Sequence, residues 1–171
     1  MTQDNNEPWA KDQEYTRYTL MFIYACITYS IIGFSWGAVM GGLPAFREFV
    51  DYAVHGRYIS LAHAHLNLLG WVEMAIFGAL YFVMPRLVRR PIFSLRLVKV
   101  HFWMHNIGLM GMVVLFCVAG AMGGVNYDAS MEPAVHKVMA VSGIFGTMVL
   151  AANIIWGYNL FKTSQGWRER Q

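Results

Sequence analysis

The stretch Ile59-Ser60-Leu61-Ala62-His63-Ala64-His65-Leu66-Asn67-Leu68-Leu69-Gly70-Trp71-Val72-Glu73, which runs on apolar to Met84, decides the fold class. It is long and apolar enough to cross a bilayer, whose hydrocarbon core of about 30 Å takes about 20 helical residues. It nevertheless carries two histidines and a carboxylate. Each ionisable group at membrane depth costs roughly 2.5 kcal/mol or more, so such groups face a cofactor, a partner or a water-filled cavity. At about 100° per residue, with His63 at 0°, His65 falls near 200°, Asn67 near 40°, Trp71 near 80° and Glu73 near 280°. Residues about 200° apart do not ligate one metal from one face. His63 and His65 look into two different spaces, and the polar positions are spread round the helix.

Three further apolar runs, about Leu20–Met40, Val100–Met122 and Val135–Phe161, flank this one, and the 171 residues are only 13% charged. A soluble domain averages nearer 25%. The expected fold is therefore an all-α membrane protein: a polar segment over 1–19, four transmembrane helices (20–40, 59–84, 100–122, 135–161) and a tail over 162–171. Glycines inside the runs (Gly33, Gly37, Gly70, Gly78, Gly108, Gly111, Gly143, Gly146, Gly157) let helices in lipid approach closely. No cleavable signal is expected, so the first helix serves as an uncleaved anchor.

Arg86, Arg89, Arg90, Arg96 and Lys99 lie between the second and third runs, and Lys162, Arg168 and Arg170 in the tail oppose Glu169. The loop between the third and fourth runs has Asp128 and Glu132 with no base before Lys137. The positive-inside rule then puts both termini and the basic loop in the cytoplasm, with the cell's inner membrane as the site. Topology accounts for the net charge of +3, and no nucleic-acid partner is expected. Trp9, Tyr15, Tyr18, Tyr52, Tyr58, Trp156, Tyr158 and Trp167 read as an aromatic belt. Cys26 and Cys117 stand alone within runs and read as small packing residues.

His63, His65, His55 and His136 fall in the outer half; His101 and His105 enter the third helix from the cytoplasmic side. His101, beside Lys99, reads as a residue at headgroup level. His105, four residues on, reads as an iron ligand or as a hydrogen-bonding or proton-relay residue. The His63/His65 pair has two readings: interfacial histidines bonded to carbonyls or headgroups, or axial ligands of haem, which asks one imidazole of each face. Zinc or copper wants three or four ligands converging within about 2 Å, which opposed side chains do not supply. His55, Asp128, Glu132 and His136 are either a surface metal or quinol-head site or solvated loop charges. Glu73 is a proton-relay or cofactor-edge candidate, since burial disfavours its charged form; otherwise it bonds a neighbouring helix, with Asn153 and Thr147 as candidate partners.

The segment Gly56-Arg57-Tyr58 through His63-Ala64-His65 to Trp71, and on to Tyr81-Phe82-Val83-Met84-Pro85-Arg86, resembles the second helix of haem–copper oxidase catalytic subunits, above all of cbb-type oxidases and nitric oxide reductases. Val100-His101-Phe102-Trp103 and Gly157-Tyr158-Asn159-Leu160-Phe161 are similar to other early helices of that family. The resemblance implies non-covalent haem b with His63 and His65 as iron ligands, and His105 or His136 as lesser candidates. Asn67, Trp71 and His105 would contact the cofactor. The family's subunit has twelve or more helices in three arcs of four, with low-spin haem held by histidines of equivalent helices. A four-helix chain matches one arc, so the resemblance implies a homotrimer in which His63 of one protomer and His65 of the next clasp a shared haem. One-electron transfer follows, with quinol or a small redox protein as partner. Two other activities stay open: reduction of oxygen or nitric oxide at an open haem, and metal or haem transport or oxidase assembly without haem. Copper has no clear three-histidine set in this sequence.

Overall fold

The structure is a computed structural model and describes residues 12–124 and 127–165. Trp9, Trp167, Arg168, Glu169 and Arg170 lie outside the described residues. Four helices are long and apolar enough to span a membrane: the first span Gln13–Gly42, the second Arg57–Val88, the third Leu95–Met122 and the fourth Ala129–Gln165. All are longer than expected. The first begins inside the segment read as polar, because Asp12 caps it: its carboxylate accepts from Glu14 N at 2.9 Å and Tyr15 N at 3.2 Å. The fourth runs past 161 to Gln165, into the expected tail. A 3-10 turn, Ala129–Met131, opens it, and the continuous α-helix starts at Glu132 with Pro133 in its first turn.

Two elements were not expected. Between the first two spans lies a short helix, Pro44–Tyr52, with Pro44 at its start, Val50 buried and Phe46 stacked on Phe49 at 6.4 Å. More consequential, the second span is not one α-helix. It is α-helical over Arg57–His65, a π-helix over Leu66–Val72, and α-helical again over Glu73–Val88. A π segment bonds residue i to i+5 and amounts to about one extra residue in the turn, roughly 100°. Glu73 therefore arrives near 180°, on the side of His65, instead of between His65 and His63.

The core runs along the first three spans through Phe22, Leu66, Met74, Phe77, Tyr81, Val98, Phe102 and Leu109. At the basic end, the Tyr15 hydroxyl donates to the Tyr81 carbonyl at 2.6 Å, and Lys99 pairs with Glu14. Asn159 on the fourth span holds the turn before the third: its side chain accepts from Ser94 N and donates to Ser94 O, both at 3.0 Å. Near mid-span, the Tyr29 hydroxyl donates to Asn106 at 2.6 Å, joining first and third spans. The first and fourth spans bury only 17% of their most apolar windows, against 44% for the third. Cys26 and Cys117 are free thiols.

Candidate cofactor site and buried polar cluster

His65 is the last residue of the α-helical turn before the π segment, and its ring lies against the third span, edge-on to Phe116 at 5.1 Å. Its Nδ1–H donates to the Leu61 carbonyl at 2.7 Å. That bond fixes the tautomer and leaves the Nε2 lone pair open, the arrangement that a backbone carbonyl imposes on imidazole ligands of metals. His63 faces the other way, toward the first span. Its ring lies 6.1 Å from Trp36, and a Cβ on Gly37 would stand 3.1 Å from its Cε1. Both rings are half-buried.

The Asn67 amide donates to the His63 carbonyl at 2.9 Å and reaches His63 Nδ1 at 3.2 Å. A neutral His63 that accepts at Nδ1 carries its proton on Nε2. Ligation through Nε2 then requires Asn67 to turn, so that its oxygen accepts from Nδ1–H. The residues present thus fit an axial ligand at His65 as they stand, and at His63 after an amide rotation. Trp71 packs edge-on against Phe34 of the first span at 4.7 Å, on the His63 side.

The other candidates divide into two groups. On the acidic end, His55 Nε2 lies 2.9 Å from Glu132 Oε2, His136 Nε2 lies 3.3 Å from Glu132 Oε1, and the Tyr127 hydroxyl donates to Oε2 at 2.8 Å. Asp128 is apart from them, capping the 3-10 turn through Ser130 N. His55 also stacks on Tyr58 at 5.5 Å. Glu132 so anchors the loop before the second span to the start of the fourth. Its hydrogen bond pushes the Tyr127 phenol above the usual range, because ionising the phenol would lose that bond and set two anions together.

Toward the basic end, His101 corrects the headgroup reading: it is fully buried, with its Nδ1 3.0 Å from the Tyr81 hydroxyl. Tyr81, twenty residues earlier, is the partner that sequence proximity hid. His105 is also fully buried, and its Nε2–H donates to the Leu69 carbonyl at 3.1 Å. Leu69 lies in the π segment, where the Glu73 amide bonds back to Leu68 instead. Glu73 Oε2 is 3.7 Å from His105 Nε2, and Asn153 of the fourth span donates to Val149 O of its own helix at 3.2 Å. Thr147 donates to its own helix at Ile144 O. Among the described residues, no three His, Cys, Asp or Glu side chains are arranged to hold a metal ion.

Residues 9–154 match the family model for cytochrome c and quinol oxidase polypeptide I. The chain belongs to that family. It is 35% identical over 145 residues to the cytochrome c oxidase subunit 1 of Rhodobacter capsulatus, covering 77% of this chain and 27% of that protein. It is 29% identical over 119 residues to the Cbb3-type cytochrome c oxidase subunit CcoN1 of Stutzerimonas stutzeri, covering 62% and 25%. With the cytochrome c oxidase polypeptide 1 of Halobacterium salinarum the identity is 23% over 150 residues, covering 88% and 24%. The chain spans about a quarter of the length of these relatives. Membership in the haem–copper oxidase superfamily implies haem as the cofactor class, in a multi-pass membrane protein.

Proposed function

We propose that the chain is a haem b electron-transfer protein of the inner membrane, with both termini cytoplasmic, that works as a homotrimer with each haem shared between neighbours. The observation that carries it is the opposed pair. His65 looks past Phe116 with Nδ1 tied down and Nε2 open, while His63 looks toward Gly37 and Trp36. One helix presenting imidazoles to two sides suits two cofactor positions per chain, each completed by a ligand from elsewhere. The glycine at 37 supports this, since any Cβ there would crowd the His63 ring. The thinly buried first and fourth spans supply surface for neighbouring protomers.

The roles of the chain's own residues follow. The Leu61 carbonyl orients His65 and raises its basicity, and Asn67 does the same for His63 once its oxygen faces Nδ1. Phe116, Trp36 and Trp71 keep the surroundings apolar. His63 and His65 would hold the haem iron, and haem so held would supply one-electron transfer. Quinol or a small redox protein is the partner proposed.

A reduced-minus-oxidised spectrum, a haem count per chain and a mass measurement test the reading together. Bis-histidine haem b in a particle of about three times 19.5 kDa is expected. A monomer that keeps six-coordinate haem would overturn the sharing, and a reduced protein whose spectrum shifts with carbon monoxide would move the reading to an open, gas-reducing haem.

A further inference from the structure

Between His65 and the basic end, the bundle holds polar atoms that the haem reading leaves idle. His101 and His105, one turn apart on the third span, are both fully buried. Each has a ring nitrogen without a hydrogen-bond partner, Nε2 in His101 and Nδ1 in His105. Glu73 Oε2, 3.7 Å from His105 Nε2, is buried and unpartnered as well, and so is Trp156 Nε1 on the fourth span. One ring sits among them: Phe77 lies 4.4 Å from His101, 5.1 Å from His105 and 5.0 Å from Trp156. Buried polar atoms are almost always satisfied, so four open ones, three of them on rings packed round Phe77, ask for an explanation. Imidazole and carboxyl are groups whose business in such surroundings is to take and give protons.

We infer that Glu73, His105 and His101 form a proton-exchange site inside each protomer, with Glu73 holding the proton and the two imidazoles leading to it from the basic end. The route has a handle at that end, where Tyr81 bonds His101 Nδ1 and its carbonyl accepts from Tyr15. It has an exit at the other, since a quarter of the Glu73 side chain is exposed on the protomer surface. The step balances without electrons. A proton arriving at His105 Nδ1 makes imidazolium, the Nε2 proton passes to the Glu73 carboxylate, and a neutral imidazole of the other tautomer remains. A ring turn or the reverse transfer resets it. The π segment makes this geometry, because it brings Glu73 to the His105 side and frees the Leu69 carbonyl that orients His105.

Every span packed on the site contributes named groups. The first gives Tyr15, with Glu14 and Tyr29 farther off; the second gives Glu73, Tyr81 and, at its end, Arg86; the third gives His101, His105 and, at its start, Lys99. From the fourth come the neutral Asn153, Trp156 and Asn159. The purpose of the site rests on the haem reading. An electron held near His65, on the order of 10 Å from Glu73 along the span, raises the proton affinity of Glu73 about tenfold at an effective dielectric of about 20. The site would then take up a proton on reduction.

Infrared titration of the full chain in lipid nanodiscs tests this without relying on activity. A protonated-carboxyl band that shifts in D2O, vanishes in Glu73→Gln, and titrates at a proton concentration changed at least tenfold in His105→Gln is expected. Wild-type protein with nitrogen-15 histidine gives a second measure where a buried variant fails to fold: the His105 and His101 signals should change in step with the Glu73 band. A band that survives Glu73→Gln, a titration that His105→Gln leaves in place, or histidine nitrogens fixed in one state throughout would overturn the site. The visible spectrum of the same samples separates the two readings. A colourless chain with coupled titration removes the haem alone, and a bis-histidine spectrum with uncoupled titration removes the proton site alone.

Discussion

His65 and His63 differ in what holds their rings, and the difference sets how each should respond to removal. His65 is locked by the Leu61 carbonyl with Nε2 open, so His65→Ala should cost the chain most of its low-spin haem spectrum. His63→Ala removes a ring that Asn67 holds in the other tautomer, and should leave haem bound through one imidazole, high-spin and open to carbon monoxide. Optical spectra of both variants, with and without carbon monoxide, check this. At the acidic end, Glu132 holds the Tyr127 phenol above its ordinary value of about 10. A raised pKa on a phenol means that its tie to Glu132 is fully present below the ordinary value and lost as pH rises through the folded one. Glu132→Gln should therefore bring that titration down, read as phenolate absorbance and assigned by its loss in Tyr127→Phe. The opposed directions of His63 and His65 were legible from a spacing of two residues. The tautomers were not, because they depend on Leu61 and Asn67 one turn away, and the burial of His101 was hidden because its partner Tyr81 sits on another span.

At the scale of elements, apolar length marked all four spans, since a bilayer leaves little choice but a helix of about 20 residues. Polar first and last turns were missed: Asp12 and Glu14 fell in the polar segment expected over 1–19, yet they cap and pin the first span. The Pro44–Tyr52 helix escaped because its apolar residues, Phe46, Phe49 and Val50, are too few to make a run. Nothing in the local pattern of Leu66–Val72 distinguishes π from α winding; the signal is a distant histidine that meets the freed carbonyl. That pairing gives a prediction. His105→Leu leaves Leu69 O without its donor inside an apolar bundle and should destabilise the fold by about 1–3 kcal/mol. His105→Gln, which keeps an N–H, should recover much of it, and thermal unfolding in detergent of the two variants is the comparison. Close approach of first and second spans is a property of elements too. A methyl group on Gly33 would press into the Asn67 amide, so Gly33→Ala should cost about 1–3 kcal/mol by overpacking and disturb the amide that orients His63.

At the scale of the whole molecule, the chain spans about a quarter of its relatives' length, and the proposed trimer makes assembly the step that completes each haem site. In that proposal the fourth span is the face on which copies meet. Gly143 and Gly157 have nothing within 4 Å of where a Cβ would be, and their spacing of fourteen residues, close to four helical turns, puts them on nearly one face. Ile144, Leu150 and Ile154 stand exposed along the same span. Glycines that no helix of the same protomer approaches have a use in lipid when the helix of another copy does. Leucine at either position adds bulk where the isolated protomer has room, so Gly143→Leu and Gly157→Leu should leave the monomer fold and its thermal unfolding within about 0.5 kcal/mol of the parent, as for surface changes away from special features. In the assembly the same side chains would hold two backbones apart. The double variant is therefore expected to fall from about three times 19.5 kDa to the monomer mass. If each haem is clasped by His63 of one copy and His65 of the next, loss of mass and loss of the six-coordinate spectrum should occur together, at the same protein concentration. Separation of the two, a monomer with six-coordinate haem or a trimer without it, would show that assembly and ligation are independent, and native mass measurement alongside the visible spectrum reads both.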